Sequence, residues 1–210
     1  MTRLVFKLAH GWPLLGLIAV LLMVGAGLAH DLAGGEAAGL RAVIRLTARS
    51  SLLLFLAAFT AAALMRLAPA PPTRWLRQNR RQLGLGFALS HLIHLAAIVG
   101  LARQDPTLFW QLTTVGSVVS GSIAYLFIIA MAATSFDRSA AWLGPRAWRV
   151  LHWTGAHFIA ISFIITNGKR IPFSAWYTLP VALIVAALVL RLVATLRRQA
   201  PAGAARSREA

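Results

Sequence analysis

The stretch LGLGFALSHLIHLAAIVGLA, residues Leu83–Ala102, contains no charged side chain and carries two histidines, His91 and His94. A helix of about 20 mainly apolar residues crosses a bilayer, because the hydrocarbon core is about 30 Å thick and each helical residue adds about 1.5 Å. The stretch therefore predicts a membrane-spanning helix that holds two imidazoles in apolar surroundings.

Five further runs have the length and apolar character of a spanning helix. They are Trp12–Ala29, Ile44–Met65, Leu112–Thr134, Val150–Thr166 and Ile171–Leu190. Hydrophobic residues make up 59% of the 210-residue chain, which is above the usual share in soluble domains. The predicted fold is an all-α integral membrane bundle of six transmembrane helices. Pro180 lies inside the sixth run and predicts a kink there.

The chain is strongly basic, with 21 Lys and Arg against 5 Asp and Glu and a formal net charge of +16. The basic residues fall in short segments between the apolar runs rather than on one solvated face. This pattern favours contact with membrane lipid and argues against a nucleic-acid partner. If the amino terminus is inside, fifteen of the 21 lie on the inner side and six on the outer side. The positive-inside rule then predicts that both termini are cytoplasmic.

Two segments allow more than one interpretation. RLAPAPPTRWLRQNRR, residues Arg66–Arg81, is Pro-rich and basic, which is typical of an anchor on anionic lipid, but its arginines also suit an acidic partner or cofactor phosphates. The start of the chain has a basic head, an apolar centre and small residues at Gly27 and Ala29. These features also fit a cleavable signal peptide, and cleavage would leave the orientation of the other spans unchanged.

The chain has no cysteine, which excludes disulfides, thiolate metal sites and iron–sulfur clusters held by Cys. Four histidines lie within the apolar runs. His91 and His94 are three apart, so they lie about 60° from each other on nearly one helix face. His152 and His157 are five apart and about 140° around the helix, so we expect them to have different roles.

Several kinds of site use imidazoles in a membrane. A b-type haem between two helices takes an axial imidazole from each side of its iron. A bare metal site is a weaker candidate, because no carboxylate accompanies the HLIH spacing. A proton path would normally recruit Asp or Glu as well. A purely structural role, in which each His bonds a neighbouring helix, also stays open.

Three segments carry a resemblance to a known family. RRQLGLGFALSHLIHL, residues Arg80–Leu95, resembles the Arg-Arg-x-Leu-Gly-Leu…His-Leu segment of the ferric reductase-like transmembrane domain family. WRVLHWTGAHF, residues Trp148–Phe158, is similar to its Trp-x-x-Leu-His motif, and residues Arg45–Leu67 resemble its preceding helix. The family includes the haem-binding membrane subunit of a bacterial methionine sulfoxide reductase system and the membrane domains of NADPH oxidases. We expect residues 1–196 to form this domain and residues 197–210 a disordered cytoplasmic tail.

The resemblance implies that His94 and His152 are haem ligands. The family usually has a second fifth-helix histidine about thirteen positions later, where this sequence has Ile165, and His157 occurs instead. At about 1.5 Å per residue, His94 and His157 lie roughly 18 and 15 Å from the starts of their helices, against roughly 8 Å for His152. Depth therefore favours His157 as the partner of His94, the resemblance favours His152, and His91 is an alternate.

The resemblance implies one haem b or two. The haem propionates would pair with arginines, which are Arg49 on the outer side or Arg81 and Arg149 on the inner side.

The predicted function is that of a multi-pass protein of the bacterial inner membrane that carries electrons through haem, as the membrane subunit of a reductase system. The tail is too short for a fused reductase module. The electrons are therefore expected from a separate flavin reductase, a bound flavin such as FMN, or a quinol, and the acceptor is a periplasmic protein, ferric iron or oxygen. The chain would then be an electron-transfer subunit rather than a complete enzyme. The alternative is a haem-free transporter or scaffold protein whose histidines pack or relay protons.

Overall fold

The computed structural model describes the backbone of residues 9–206 and the side chains of residues 9–197. Six helices are long and apolar enough to cross a membrane, as the sequence predicts. They are α1 (Gly11–Leu32), α2 (Glu36–Leu67), α3 (Arg80–Gln104), α4 (Val115–Ala133), α5 (Pro145–Gly168) and α6 (Thr178–Arg206). The connections contain short helices at Pro71–Gln78, Pro106–Leu112 and Asp137–Leu143 and two 3-10 turns at Ile171–Phe173 and Ala175–Tyr177. No strand occurs in this part of the chain, so the predicted all-α membrane bundle is confirmed.

The starts of α2 and α5 are set by local turn chemistry and lie earlier than hydropathy predicts. Gly34 and Gly35 both have positive φ, which glycine adopts without strain, and they turn the chain directly from α1 into α2. Gly144, at φ +78°, precedes Pro145 at the first position of α5. Proline suits that position because an N–H there has no intrahelical acceptor. α5 therefore begins before the predicted start at Val150.

Both ends of α6 differ from the sequence-based expectation. The helix begins at Thr178, so Pro180 lies in its first turn, where a missing N–H costs no intrahelical hydrogen bond. The predicted kink at Pro180 is therefore wrong. At its other end α6 continues to Arg206, past the suggested domain boundary at residue 196. Residues 207–210 of the predicted disordered tail lie outside the described residues.

Helices α2 to α6 form a ring in which each helix packs on the next and α6 returns to α2. α1 lies outside this ring, against α2 and α3. α3 and α5 are not neighbours, but their side chains meet across the centre, where the ring centroids of Phe87 and Phe163 are 6.5 Å apart. Because the number of spans is even, α1 begins and α6 ends at the same end of the bundle. We call this the terminal end and the other the opposite end.

Buried apolar side chains from all five ring helices fill the centre. Aromatic rings dominate it. The ring centroid of Phe55, on α2, lies 4.9 Å from that of Phe59, 5.4 Å from that of Phe87 and 5.6 Å from that of Phe163. Aliphatic residues from α4, α5 and α6 complete the cluster, namely Ile128, Ile159, Ala160, Ile184 and Ala187. Such packing holds membrane helices together through van der Waals contact, because lipid is as apolar as these side chains.

The seam between α2 and α3 is polar. The Ser90 hydroxyl of α3 is fully buried, accepts a hydrogen bond from Ser51 at 2.9 Å, and donates to the Thr47 carbonyl oxygen at 3.1 Å. The Ser50 hydroxyl lies 2.9 Å from the Ser90 hydroxyl oxygen. Small hydroxyl residues allow close helix approach and bond across the contact. The seam fixes the register of α3 against α2.

The start of α1 is fastened to the connection between α2 and α3. Asn79, 2% exposed, accepts the Gly11 N–H at 2.9 Å and donates to the Trp75 carbonyl at 3.0 Å. The Trp75 indole N–H donates to the Ala9 carbonyl at 2.8 Å. The segment Arg66–Arg81, predicted as a lipid anchor, therefore also holds the first helix in position.

Candidate functional site

His94 faces α2 at the polar seam. Its Nδ1 lies 2.9 Å from the Thr47 hydroxyl, which donates its own hydrogen to the Val43 carbonyl at 2.6 Å. Since that hydroxyl hydrogen is committed, Thr47 accepts from His94, and the hydrogen on the imidazole sits on Nδ1. Nε2 of this half-buried side chain then carries the lone pair and is the atom that a metal would bind.

His91 lies beside His94 but contacts different helices. The two ring centroids are 5.7 Å apart, which confirms the predicted common face. His91 packs against Phe87, Tyr125 and Phe163, with centroid distances of 4.6, 5.7 and 5.8 Å. Its Nδ1 is buried and has no hydrogen-bond partner among the described residues. The aromatic contacts place His91, on α3, against α4 and α5.

His152 is bonded at the terminal end of α4. Its Nε2 lies 3.1 Å from the Thr134 hydroxyl, and its ring stacks on Trp148 at 4.1 Å. The Thr134 hydroxyl donates to the Ala130 carbonyl at 2.7 Å, so it accepts from His152. His152 therefore carries its hydrogen on Nε2, and only Nδ1, the nitrogen nearer the backbone, keeps a lone pair.

His157 points towards α2 instead. Its Nδ1 donates to the Trp153 carbonyl of its own helix at 2.6 Å, which leaves Nε2 free. Its ring meets the Phe59 ring edge-on at a centroid distance of 5.6 Å. His152 and His157 thus address different neighbours, as their spacing predicts. A histidine whose Nδ1–H bonds a carbonyl while Nε2 is free has the usual form of a metal ligand.

The cross-helix contacts set the levels of the histidines along the bundle. Phe163 of α5 lies opposite His91 of α3, and the two helices run in the same direction. His94 lies three residues beyond His91 and His157 six residues before Phe163, so they are about nine residues, or about 13 Å, apart along the bundle. His152 is about 21 Å from His94. The predicted comparable depth of His94 and His157 is therefore wrong.

The reason lies in where α5 begins. The depth estimate set the starts of the third and fifth spans at one level, whereas α5 starts at Pro145 and reaches past the start of α3. Arg80, the first residue of α3, interacts electrostatically with His152, well inside α5. The register of α5 against α3 is thus shifted by about two turns from the estimate.

The three arginines predicted to meet propionates lie at the surface of the bundle. Arg49 and Arg149 are exposed. Arg81 forms an ion pair with Asp137 between the start of α3 and the connection that follows α4.

Two arginines that were not predicted as propionate partners act on the histidines. Arg80 interacts electrostatically with His152, and Arg170 with His94. Both residues flank apolar runs. Arg170 was predicted only to orient the membrane spans, and Arg80 belongs to the segment Arg66–Arg81, whose arginines also suit an acidic partner or cofactor phosphates. Their distance from the histidines depends on helix register, which hydropathy does not show.

Arg191 of α6 is a third arginine missed by the sequence-based assignment. Its guanidinium donates to the Phe59 carbonyl at 2.8 Å and lies over the Phe59 ring at 4.1 Å. Its Nε is buried and has no hydrogen-bond partner within the described part of the chain. Phe59 also contacts His157, so this charge and that imidazole share one aromatic neighbour. A charge inside the apolar sequence LVLRLV was the available signal.

The donor set can be compared with the metal groups that it would suit. In the part of the chain that the structure describes, no three His, Asp or Glu side chains come together, so an ordinary bare metal site has no ligand set here. Single imidazoles whose second nitrogen is bonded, as in His94 and His157, suit axial ligation of a haem iron. His94 and His157 therefore each have the form of a haem ligand.

Comparison with known proteins gives a family. The model of the ferric reductase like transmembrane component matches residues 45–163, which is more than half of the chain and includes all four intramembrane histidines. Searches of the curated proteins and of the solved structures found no match. The family match confirms the resemblance carried by the third and fifth spans. The chain belongs to the family of ferric reductase-like transmembrane components.

Proposed function

We propose that this chain is a haem b-binding protein of the bacterial inner membrane that carries electrons across the membrane as the membrane subunit of a reductase system. Its family makes it a membrane electron-transfer component, and its six apolar helices make it a multi-pass membrane protein. The proposed orientation has both termini in the cytoplasm. It is supported by fifteen of the 21 basic residues falling on that side.

The geometry of His94 is the observation that carries the proposal. Ferric reductase-like domains generally bind haem, and the matched residues include His94. Thr47 bonds the Nδ1 side of the ring at 2.9 Å, which fixes the tautomer and the ring orientation. A polar side chain inside a membrane is costly and is usually retained for function.

The residues that would hold haem lie at two levels, which suits one haem or two. Towards the opposite end His94 is the proposed ligand, with His91 beside it. Towards the terminal end His157 is the proposed ligand, with His152 one turn closer to that end. A bound haem supplies a one-electron carrier whose potential depends on its axial imidazole and on the polarity around it.

Positive charge for the carboxylates of such a group is available at both levels. Arg170 interacts electrostatically with His94, and Arg80 with His152. Further candidates at the rim of the bundle are the exposed or surface-paired arginines Arg49, Arg81 and Arg149.

The donor and acceptor are proposed to be separate molecules. Membership of this family supports a separate reductase as donor and membrane lipid as surroundings. The donor is a cytoplasmic flavin reductase, a bound flavin such as FMN, or a quinol. The acceptor is a periplasmic protein, ferric iron or oxygen.

The first test is direct measurement of haem. The protein is purified after expression with adequate haem supply, and a pyridine haemochrome assay is combined with a dithionite-reduced minus oxidised spectrum. We expect a b-type spectrum with one or two haems per chain. We expect His94→Ala to lose haem, whereas His30→Ala, which changes a histidine bonded to Asp31 at the end of α1, retains it.

The outcomes separate the two functions. A wild-type protein without b-type haem would refute the proposal and favour the haem-free transporter or scaffold. Full haem retention in His94→Ala would refute the ligand assignment alone.

A further inference from the structure

Two arginines from different helices bond adjacent carbonyls of α2 towards the terminal end. Nε of Arg80, on α3, donates to the Ala58 carbonyl at 3.2 Å, and Nη1 of Arg191, on α6, donates to the Phe59 carbonyl at 2.8 Å. Adjacent carbonyl oxygens of a helix are about 4 Å apart, so these two nitrogens lie within about 10 Å of each other. The two guanidinium groups also interact electrostatically. We call Arg80 and Arg191 the arginine pair.

The arginine pair adjoins further basic side chains. Arg80 interacts electrostatically with Arg77 and with His152, in addition to Arg191. None of these groups carries negative charge, and a guanidinium keeps its own charge when it is buried. Like charges held this closely repel each other, and the repulsion is stronger at a partly buried site than in water.

The described part of the chain supplies no carboxylate to the arginine pair. Its acidic side chains are Asp31, Glu36, Asp105 and Asp137. The first three lie at the opposite end of the bundle, and Asp137 forms its ion pair with Arg81. The fifth acidic residue, Glu209, lies outside the described residues. Within these residues the pair is therefore bonded to main-chain carbonyls and not to an acid.

Arg191 also carries a buried donor that lacks an acceptor. Its Nη1 bonds the Phe59 carbonyl and its guanidinium lies over the Phe59 ring, but its Nε has no hydrogen-bond partner among the described residues. A buried donor without an acceptor is costly, especially on a charged group, and most buried donors in folded proteins have a partner. An anion bound here would satisfy Nε and would also offset the repulsion within the arginine pair.

We propose that the arginine pair binds a phosphate group that does not belong to this chain. A phosphate group offers several acceptor oxygens and up to two negative charges, and the planar donor set of arginine matches its geometry. Two hydrogen bonds of about 2.9 Å to different oxygens of one phosphate span up to about 8 Å. This span is comparable with the limit of about 10 Å that the two α2 carbonyls set on the pair. The inference does not depend on haem binding.

A phosphate group can reach the pair from two sources that share this chemistry. One is a free phosphate or phosphate monoester in the aqueous phase at the terminal end. The other is the headgroup of an anionic phospholipid in the adjoining leaflet.

The first experiment titrates inorganic phosphate into the purified full chain, in detergent and phosphate-free buffer, by isothermal titration calorimetry. We expect one phosphate per chain. Arg191→Gln and Arg80→Gln each remove a charge-assisted donor and should weaken binding about 10- to 100-fold. Arg74→Gln, the matched control, removes an exposed charge at the same end of the bundle and should retain affinity within about threefold. The haem content of every sample is measured, and the variants are compared at equal haem content.

Thermal unfolding separates binding from folding. Phosphate should raise the unfolding temperature of the wild type, because a ligand of the native state stabilises it by mass action. In Arg191→Gln and Arg80→Gln this rise should be lost. If Arg191 only fastens α6 to the Phe59 carbonyl, its replacement lowers the unfolding temperature equally with and without phosphate. If Arg191→Gln does not fold, the comparison of Arg80→Gln with Arg74→Gln decides the inference.

The second experiment identifies the source of the phosphate group. Phosphatidylglycerol and the zwitterionic phosphatidylcholine are added in mixed micelles to the same variants. Binding of inorganic phosphate that depends on the arginine pair assigns the site to the aqueous phase. Binding of phosphatidylglycerol alone, lost in Arg191→Gln, assigns it to lipid. Binding of neither probe, or equal binding by Arg191→Gln and Arg74→Gln, would overturn the inference and leave the proposed haem function standing.

Discussion

Replacing Thr47 with valine tests whether the seam between α2 and α3 positions His94. Valine has nearly the same shape but no hydroxyl, so the His94 Nδ1–H loses its acceptor at 2.9 Å. A hydrogen bond between membrane helices contributes about 0.6 kcal/mol on average and about 1.7 kcal/mol at most, so the unfolding free energy should fall by about 1 kcal/mol. Haem binding should lose more free energy than folding does, because the hydrogen-bond acceptor of a metal-ligating histidine is removed. We expect haem affinity to fall about 10- to 100-fold.

The two effects can be told apart by their size. A 10- to 100-fold loss of affinity corresponds to about 1.4 to 2.8 kcal/mol, which exceeds the average hydrogen bond of the seam. The excess is expected because an imidazole without its acceptor is free to rotate away from the iron. Haem is titrated into the haem-free protein in detergent to measure affinity, and unfolding by denaturant in the same detergent measures stability.

Two controls decide the interpretation. Thr47→Ser keeps the hydroxyl and should retain affinity within about threefold, or about 0.7 kcal/mol. Thr60→Val removes a hydroxyl that bonds only the Leu56 carbonyl of its own helix at 2.8 Å, and should retain haem affinity. If Thr47→Val binds haem as tightly as Thr60→Val, the claim that Thr47 positions His94 is refuted.

Two further substitutions test the packing around the site. Ser90→Ala removes a hydroxyl shared across the α2–α3 seam and should lower the unfolding free energy in detergent by about 1–2 kcal/mol, whereas Ser162→Ala, which loses only a bond within α5, should stay within about 0.5 kcal/mol. An equal loss in both would contradict the role of the seam. Gly39→Ala puts a Cβ 2.7 Å from the His30 carbonyl oxygen and should destabilise the protein by about 1–3 kcal/mol in the same assay. Gly116→Ala, whose Cβ meets open space, should leave the stability unchanged. A Gly39→Ala protein as stable as the wild type would show that α1 and α2 are not packed this closely.

Hydropathy and helix geometry predicted correctly the features that depend on a single helix. The six spans follow from the length of each apolar run. The common face of His91 and His94 and the divergence of His152 and His157 follow from the fixed rotation per residue. These relations hold wherever the helix sits in the bundle, so no knowledge of its neighbours was required.

The level of α5 against α3 could not be predicted in this way. It depends on the turn at Gly144, on the early start at Pro145, and on the packing of Phe163 against His91. The hydropathy of a helix does not depend on its level in the bundle. The sequence therefore left the pairing of histidines open. For the same reason Arg170 was assigned to membrane orientation, although it interacts electrostatically with His94.

Asn79 links the placement of the first helix to a segment that is synthesised much later. Its side chain bonds the N–H of Gly11, which lies 68 positions earlier in the chain. Because a chain is made from its amino terminus, α1 is synthesised before this partner exists. When Asn79 and Trp75 leave the ribosome, they attach the start of α1 to the α2–α3 hairpin. The start of the first span is therefore held by the connection between the second and third spans, a contact that can form only after both partners have been synthesised.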